Sequence, residues 1–405
     1  MAFGKFELFV ANKFIRQGNS SKKTRPVIQI SIIAIALSTA VIILTATVVN
    51  GFKSEITNKV IGFGAHIEVS HYRSVNSYET FPIDKNENIE GLEGSHNIKH
   101  IQPYVIKAGI LKNGENIQAN VLKGINEEFD KSFFKKHMVR GEFPKNLESS
   151  ILISLKTANL LDIDVGEKIL LYFIQDPPRV RKLDVVGIYE SGFSQFDDLM
   201  AMTDIKMLQK INGWDETQLS GYEMLLNDFD ALEESTDFVY NNIPSELNAQ
   251  SIFEKFPDIF NWLELQDVNY YIILILMILV AVINSISALI ILILEKTSII
   301  GTLKTLGSNN SSIKRIFIIQ GAYLLLTGLF WGNLFGVGMA LIQEKFKIIT
   351  LPVESYFLSS VPIKLDMMEL ILINGGAFVI CMSALIIPSH MVTGVVIAKA
   401  IKFDQ

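Results

Sequence analysis

The sequence predicts an α-helical membrane protein with four transmembrane helices and a large α+β domain inserted between helices 1 and 2. Three observations carry that prediction. Hydrophobic residues make up 49% of the 405-residue chain, and they concentrate in four runs near the 20 apolar residues a helix needs to cross a bilayer. Residues 51–269, between the first and second runs, instead alternate short β-branched and aromatic stretches with helical patterns. Lys and Arg gather in the short segments on one side of the runs, which fixes an orientation.

Residues 1–26 form a basic, amphipathic start. Phe3, Phe6, Phe9, Val10, Phe14 and Ile15 lie among Lys5, Lys13 and Arg16, a pattern suited to the membrane interface or to an ordinary first helix. The first span is 27–50. It is the most polar of the four, with Gln29, Ser31, Ser38, Thr39, Thr45 and Thr47. Its Ile, Leu and Val residues contribute about −4 to −8 kcal/mol together, enough to carry those hydroxyls. The run is longer than a signal-peptide core and no small-x-small site precedes Gly51-Phe52-Lys53, so it reads as a retained anchor. The second span is 270–294, the third 316–342 and the fourth 370–390, with a loop at 343–369 between the last two.

The N-terminal stretch, the 295–315 segment with Lys296, Lys304, Lys314 and Arg315, and the 391–405 tail with Lys399 and Lys402 belong on the cytoplasmic side. Residues 51–269 then lie outside, with 35 acidic against 21 basic residues. Within this region, 65–70, 101–111, 116–124, 168–173, 183–189 and 222–226 read as strands. Residues 154–161, 204–211 and 230–241 read as helices, with Asp204 as an N-cap and Gly213 as a stop. Asp176, Pro177, Pro178 and Arg179, with Val180 and Arg181, read as a stiff protruding loop or a plain surface turn.

In 295–315, the stretch 298–306 reads as a short helix with Ile299, Ile300, Leu303 and Leu306 on one side and Gly307 as its stop. From the residues alone it is either a re-entry turn or a helix offered to a soluble partner. Gly328, Gly332 and Gly336, four apart in the third span, make a strip that lets another helix come close. Asn284, Ser285, Ser287 and Asn374 sit at depths where polar groups should face protein or a cavity.

Other functions are disfavoured. The net charge of −6 argues against nucleic acid, and no phosphate-binding glycine loop ending in Lys-Ser/Thr is present. The single cysteine, Cys381, permits no internal disulfide. None of His66, His71, His96, His100, His137 and His390 stands in a metalloprotease spacing, so no metal site and no catalytic residue is expected.

Several segments resemble the LolC/LolE permeases of the lipoprotein-releasing ABC system, within the wider MacB/FtsX group. They are Phe6-Glu7-Leu8-Phe9-Val10-Ala11 through Arg16, then Val49-Asn50-Gly51-Phe52 at the end of the first span. The strongest is Glu295-Lys296-Thr297-Ser298-Ile299-Ile300-Gly301-Thr302-Leu303-Lys304-Thr305-Leu306-Gly307, followed by Ile313 to Gln320-Gly321; Lys399-Ala400-Ile401-Lys402 closes the chain. The family's Arg-rich stretch is replaced here by Lys296-Thr297-Ser298.

The resemblance implies a two-lobed periplasmic domain and a non-catalytic permease of the inner membrane with both termini cytoplasmic. It implies an ABC ATPase partner of the LolD type, which would carry ATP and Mg, so that this chain needs no cofactor. Glu295, Ile299, Ile300, Leu303, Lys304, Leu306 and Gly307 would couple to that ATPase. A second permease, identical or paralogous, would assemble with it and with two ATPases. Lipoproteins would be the cargo, lifted from the outer leaflet into an apolar route beside membrane lipids, formed by Val41, Ile42, Leu44, Val48, Tyr271, Ile275 and Leu279. A periplasmic carrier of the LolA type would dock on the loop at Asp176, Pro177, Pro178 and Arg179, which is shorter than the family's hairpin. Other expectations kept open are a MacB-like exporter, an FtsX-like force transmitter and a non-transporting sensor.

Overall fold

The computed structural model describes residues 4–20, 24–74, 80–144, 147–352, 356 and 358–394. Phe3, Lys22, Lys23 and the ending Lys399-Ala400-Ile401-Lys402 lie outside the described residues. The helices are α1 (Lys5–Ser20), α2 (Thr24–Phe63), α3 (Glu87–Glu90), α4 (Ser132–Lys136), α5 (Leu155–Leu161), α6 (Ser194–Asp197) and α7 (Ile205–Asn212). They continue with α8 (Leu232–Asn242), α9 (Ile252–Lys255), α10 (Pro257–Glu295), α11 (Thr297–Thr305), α12 (Asn310–Phe346), α13 (Met367–Ala384) and α14 (Ile386–Ser389). The strands are β1 (Ile67–His71), β2 (Ile83–Asp84), β3 (Ile98–Asn113), β4 (Asn116–Ile125), β5 (Met138–Gly141) and β6 (Ser150–Ser154). They end with β7 (Lys168–Phe173), β8 (Arg179–Tyr189), β9 (Met200–Asp204), β10 (Gln218–Leu219), β11 (Gly221–Leu226) and β12 (Leu247–Ser251).

The chain forms two compact units. One comprises Met1–Lys53, Leu263–Ile349 and Val361–Gln405, the other Ser54–Trp262 and Thr350–Ser360. Among the described residues, four helices are long and apolar enough to cross a membrane. Helix α2 does not stop at residue 50. Ile56, Val60 and Phe63 recur at helical spacing and are buried, so an amphipathic stretch prolongs the apolar one. Helix α10 likewise starts ahead of Tyr270, at Pro257, which in a first turn gives up no needed N–H. The fourth run stays helical to Ser389, with one break in its hydrogen bonding. Pro388 cannot donate to the carbonyl four residues back, and α13 ends at Ala384 before the short α14.

Polar side chains pin these helices to one another. Asn333 and Asn374 exchange amide hydrogen bonds of 2.6 and 2.9 Å between α12 and α13. At the opposite end of α13 from the Pro388 break, the Glu369 carboxylate accepts from Asn50 of α2 and from the Tyr270 hydroxyl of α10, the latter at 3.0 Å. Helix α1 is tied down too. The Ser312 hydroxyl donates to the Glu7 carboxylate at 3.0 Å, while Ala11 and Phe14 are buried against Ile316. Hydrogen bonding, first from its own backbone N–H and then from Ser312, holds the Glu7 carboxyl below the usual range. The aromatic set of α1 is therefore divided. Phe14 packs inward, whereas Phe6 and Phe9 are exposed.

The second unit is α+β. Its strands follow the order β12-β1-β11-β3-β4-β9-β6-β8-β5, and β7 pairs with both β3 and β8. The pairings therefore close a ring, β3-β4-β9-β6-β8-β7. The first half of the 16-residue β3 also continues the sheet β12-β1-β11. Leu111, Leu122, Ile151, Leu171 and Val185 are fully buried in this unit. Asp204 caps α7 by accepting from the Met207 N–H, and Gly213 ends the helix with φ +73°, a conformation that glycine adopts without strain. Strands β2, β5, β6, β9, β10 and β12 and the shortest helices go beyond what the sequence pattern predicts.

Candidate coupling and cargo sites

Helix α11 joins α10 to α12 through a tight turn. Gly307 has φ +90°, and Asn309 then caps α12 by accepting from the Ser312 N–H. The four residues predicted to form one apolar side do not share one fate. Ile300 is fully buried with Leu289, Ile313 and Phe317, and Leu303 packs against that cluster. Ile299 and Leu303 also pack on the cluster of Ala11, Phe14 and Ile316. Ile300 therefore holds α11 against the rest of its own unit, while Ile299 and Leu303 pack there in part and stay half-buried. Leu306 is the exception: it sits at the helix end, where the chain turns at Gly307, and is 78% exposed. Lys304 is also occupied, because its ammonium donates to the Val392 carbonyl at 3.0 Å. Within 295–307, Glu295, Thr302, Thr305, Leu306 and Gly307 are exposed.

The predicted cargo residues are likewise split. Ile42 is 2% exposed and buried with Ala46, Tyr270 and Ile373, so it serves helix packing rather than an open cavity. Val41, Leu44 and Val48 are half-buried. Tyr271, Ile275 and Leu279, four apart on α10, are exposed in one stripe, away from the face that carries Tyr270, Leu274 and Ile278 onto α2. The apolar groove present on α2 lies beside α12 instead. It measures about 890 Å³ and is lined by Ile32, Leu37, Ala40, Trp331, Phe335 and Met339 among others.

Gly328, Gly332 and Gly336 lie against α2. A Cβ at Gly332 would come within 2.6 Å of Thr39 Cβ and 2.8 Å of the Ala36 carbonyl oxygen; at Gly328 it would meet Ile35 Cγ2 at 2.6 Å, and at Gly336 Ala40 Cα at 3.1 Å.

The proline loop is a five-residue hairpin turn at 174–178, because Phe173 pairs with Arg179. Arg179, Val180 and Arg181 belong to β8. The Arg179 guanidinium donates to the carbonyls of Lys210 and Ile211 at 2.6 and 3.2 Å, closing the end of α7. Arg179 is thus engaged inside its own domain. Asp176, Pro177 and Pro178 are exposed, and Ile174, which no sequence motif singles out, is 81% exposed in the same turn. His96 and His100 do not converge: one lies 3.6 Å from Glu234, the other bonds Glu93 and the Glu128 carbonyl. Among the described residues no group of three or more His, Cys, Asp or Glu side chains could hold a metal.

Residues 30–237 match the MacB-like periplasmic core domain, and residues 271–396 match the FtsX-like permease C-terminal domain. The chain belongs to the MacB/FtsX-like permease family. The chain is 24% identical over 398 residues to the lipoprotein-releasing system transmembrane protein LolC of Xylella fastidiosa (strain 9a5c), covering 92% of this permease and 93% of that protein. It is 25% identical over 404 residues to the LolE protein of Haemophilus influenzae, covering 94% and 95%. The periplasmic region of MacB from Actinobacillus actinomycetemcomitans superposes at TM-score 0.35 with 13% identity, covering 50% of this permease and 96% of that structure. The permease is a multi-pass ABC-transporter subunit with a periplasmic-type domain between its first and second spans.

Proposed function

We propose that this permease extracts lipoproteins from the outer leaflet of a bacterial inner membrane and passes them to a periplasmic carrier, driven by a separate ATPase that docks on the 295–315 segment. The observation that carries this reading is the end-to-end similarity to LolC and LolE, over more than nine-tenths of both chains. A triacyl anchor gains about 0.8 kcal/mol per methylene buried in the membrane, so its exit needs an apolar surface alongside. The exposed stripe Tyr271, Ile275 and Leu279 supports such a surface. A second permease, identical or paralogous, would face it. The test is reconstitution with the cognate ATPase and a triacylated protein in liposomes. ATP should move the protein to a soluble carrier, and photo-crosslinkers at Val48 and Tyr271 should capture it before ATP is added. Crosslinks to phospholipid alone, with no release to any carrier, would sink the reading.

A MacB-like exporter is the second reading. The short 174–178 turn and the engagement of Arg179 by α7 favour it, because they leave little to recruit a carrier. A crosslinker at Ile174, in that turn, separates the two: capture of a soluble lipoprotein carrier supports release, and its absence supports export.

The proposed orientation puts both termini and 295–315 in the cytoplasm, with 51–269 and 343–369 outside. In a Cys381→Ser background, single cysteines at the exposed positions Glu115, Asn310 and Ser359 report it. A membrane-impermeant thiol reagent on spheroplasts should label Glu115→Cys and Ser359→Cys only. Labelling at position 310 would invert the arrangement.

A further inference from the structure

The last residue of α2 ends on a buried ion pair. The Lys123 ammonium donates to the Phe63 carbonyl at 2.7 Å and to Glu223 Oε1 at 2.5 Å, and the two side chains are only 2% and 3% exposed. A helix C-terminus carries unpaired carbonyls and partial negative charge, which a cation satisfies. Glu223 is held in turn by the Gln102 amide at 2.8 Å, and the Gln102 carbonyl oxygen accepts from the Asp130 N–H at 2.9 Å. The Phe63 ring is gripped as well. It stacks on Phe196 at 4.7 Å and meets Phe133 and Phe134 edge-on at 5.4 Å.

A second lysine, paired with a carboxylate alone, lies where α10 begins. Lys255, the last residue of α9 and two before Pro257, pairs with Glu68. The two carboxylates are directly opposite each other in the sheet, Glu68 on β1 facing Glu223 on β11. Like charges at such a cross-strand position repel, so each needs its lysine. The same register extends the row to Gln250 on one side and Gln102 on the other. Above the row lies a cavity of about 260 Å³ walled by Phe63, Phe196 and Phe256.

We propose that Lys123 and Lys255 are positioning residues of one ionic joint, which fastens the end of α2 and the start of α10 to the neighbouring carboxylates Glu223 and Glu68, so that displacement of either helix reaches the same two strands. The joint rests on the function proposed above for its role in transport. Its test does not depend on cargo.

Hydrogen–deuterium exchange is followed on the permease–ATPase complex with and without ATP plus vanadate. Amides of Lys59–Phe63 should change protection together with those of β1 and β11. Replacing the pair by apolar side chains, Lys123→Met with Glu223→Met, leaves no unpaired buried charge and keeps the domain folded. It should speed exchange at Lys59–Phe63 by about tenfold, the loss expected for one charge-assisted hydrogen bond. It should also erase the nucleotide response in β1 and β11 while ATP hydrolysis continues. Lys123→Gln with Glu223→Gln, which removes both charges and leaves two amides able to hydrogen-bond each other, should act in the same direction and serves if the Met pair fails to accumulate. Wild-type amides of α2 and the two strands that respond independently would overturn the joint. So would a folded variant with unchanged exchange and an unchanged nucleotide response. A wild-type complex that moves no lipoprotein refutes the proposed function only; the exchange data still decide the joint.

Discussion

Leu306→Asp should strip the ATPase from the purified permease while leaving the permease inserted and folded. Leu306 is the most exposed apolar side chain of the coupling segment, whereas Ile300 is buried and Ile299 and Leu303 are half-buried against the rest of the unit. An anchor at the centre of an interface is worth about 2–4 kcal/mol, which corresponds to roughly a 30- to 1,000-fold loss of affinity. Copurification in detergent reads this directly. Leu303→Asp gives the contrast. It drives a charge into two packed clusters, at a cost of several kcal/mol, so the permease itself should fail to accumulate. If Leu306→Asp retains the ATPase at wild-type yield, the partner binds elsewhere and the segment is only a turn.

The second large effect is expected at Gly332. A leucine there would place its Cβ inside the van der Waals contact of Thr39 and of the Ala36 backbone, and backbone cannot swing aside as a side chain does. Overpacking of this kind costs about 1–3 kcal/mol, more when a whole helix must move. The thermal midpoint of the detergent-solubilised protein should fall clearly, with lower yield from the membrane. Gly338, on the same helix, would have nothing within 4 Å of an added Cβ. Gly338→Leu should therefore be silent, and equal effects at the two positions would show that α12 does not pack on α2 through the glycine strip.

The apolar runs are legible in the sequence because lipid tolerates little else over so many residues. Their ends are not. Residues 51–63 and 257–269 are amphipathic helix, and hydropathy alone cannot distinguish such a continuation from the start of a soluble domain. Strands β3, β4 and β7 announce themselves by β-branched alternation, whereas β12, with the sequence Leu-Asn-Ala-Gln-Ser, is too short and polar to do so. At the coupling segment, spacing shows that an apolar side exists but not what covers it, and the covering comes from α1 and α12. Spacing also cannot place Arg179 in a strand with its guanidinium on α7. Lys123, in Val-Leu-Lys-Gly-Ile, and Glu223 read as ordinary solvent-facing charges. Their burial depends on partners a hundred residues apart, and no local pattern encodes that.

The double membership of β3 sets an order of assembly. Every strand of the closed ring lies between Ile98 and Asp204, a continuous stretch that can complete itself as soon as it emerges. The sheet β12-β1-β11 draws instead on segments before and after that stretch. It cannot be finished until Ser251 has been made. During synthesis the ring is therefore free to act as a preformed template. β1, made early and already tethered to α2, waits unpaired beside it until the later strands arrive, and that interval is when an exposed strand edge most needs protection from other chains.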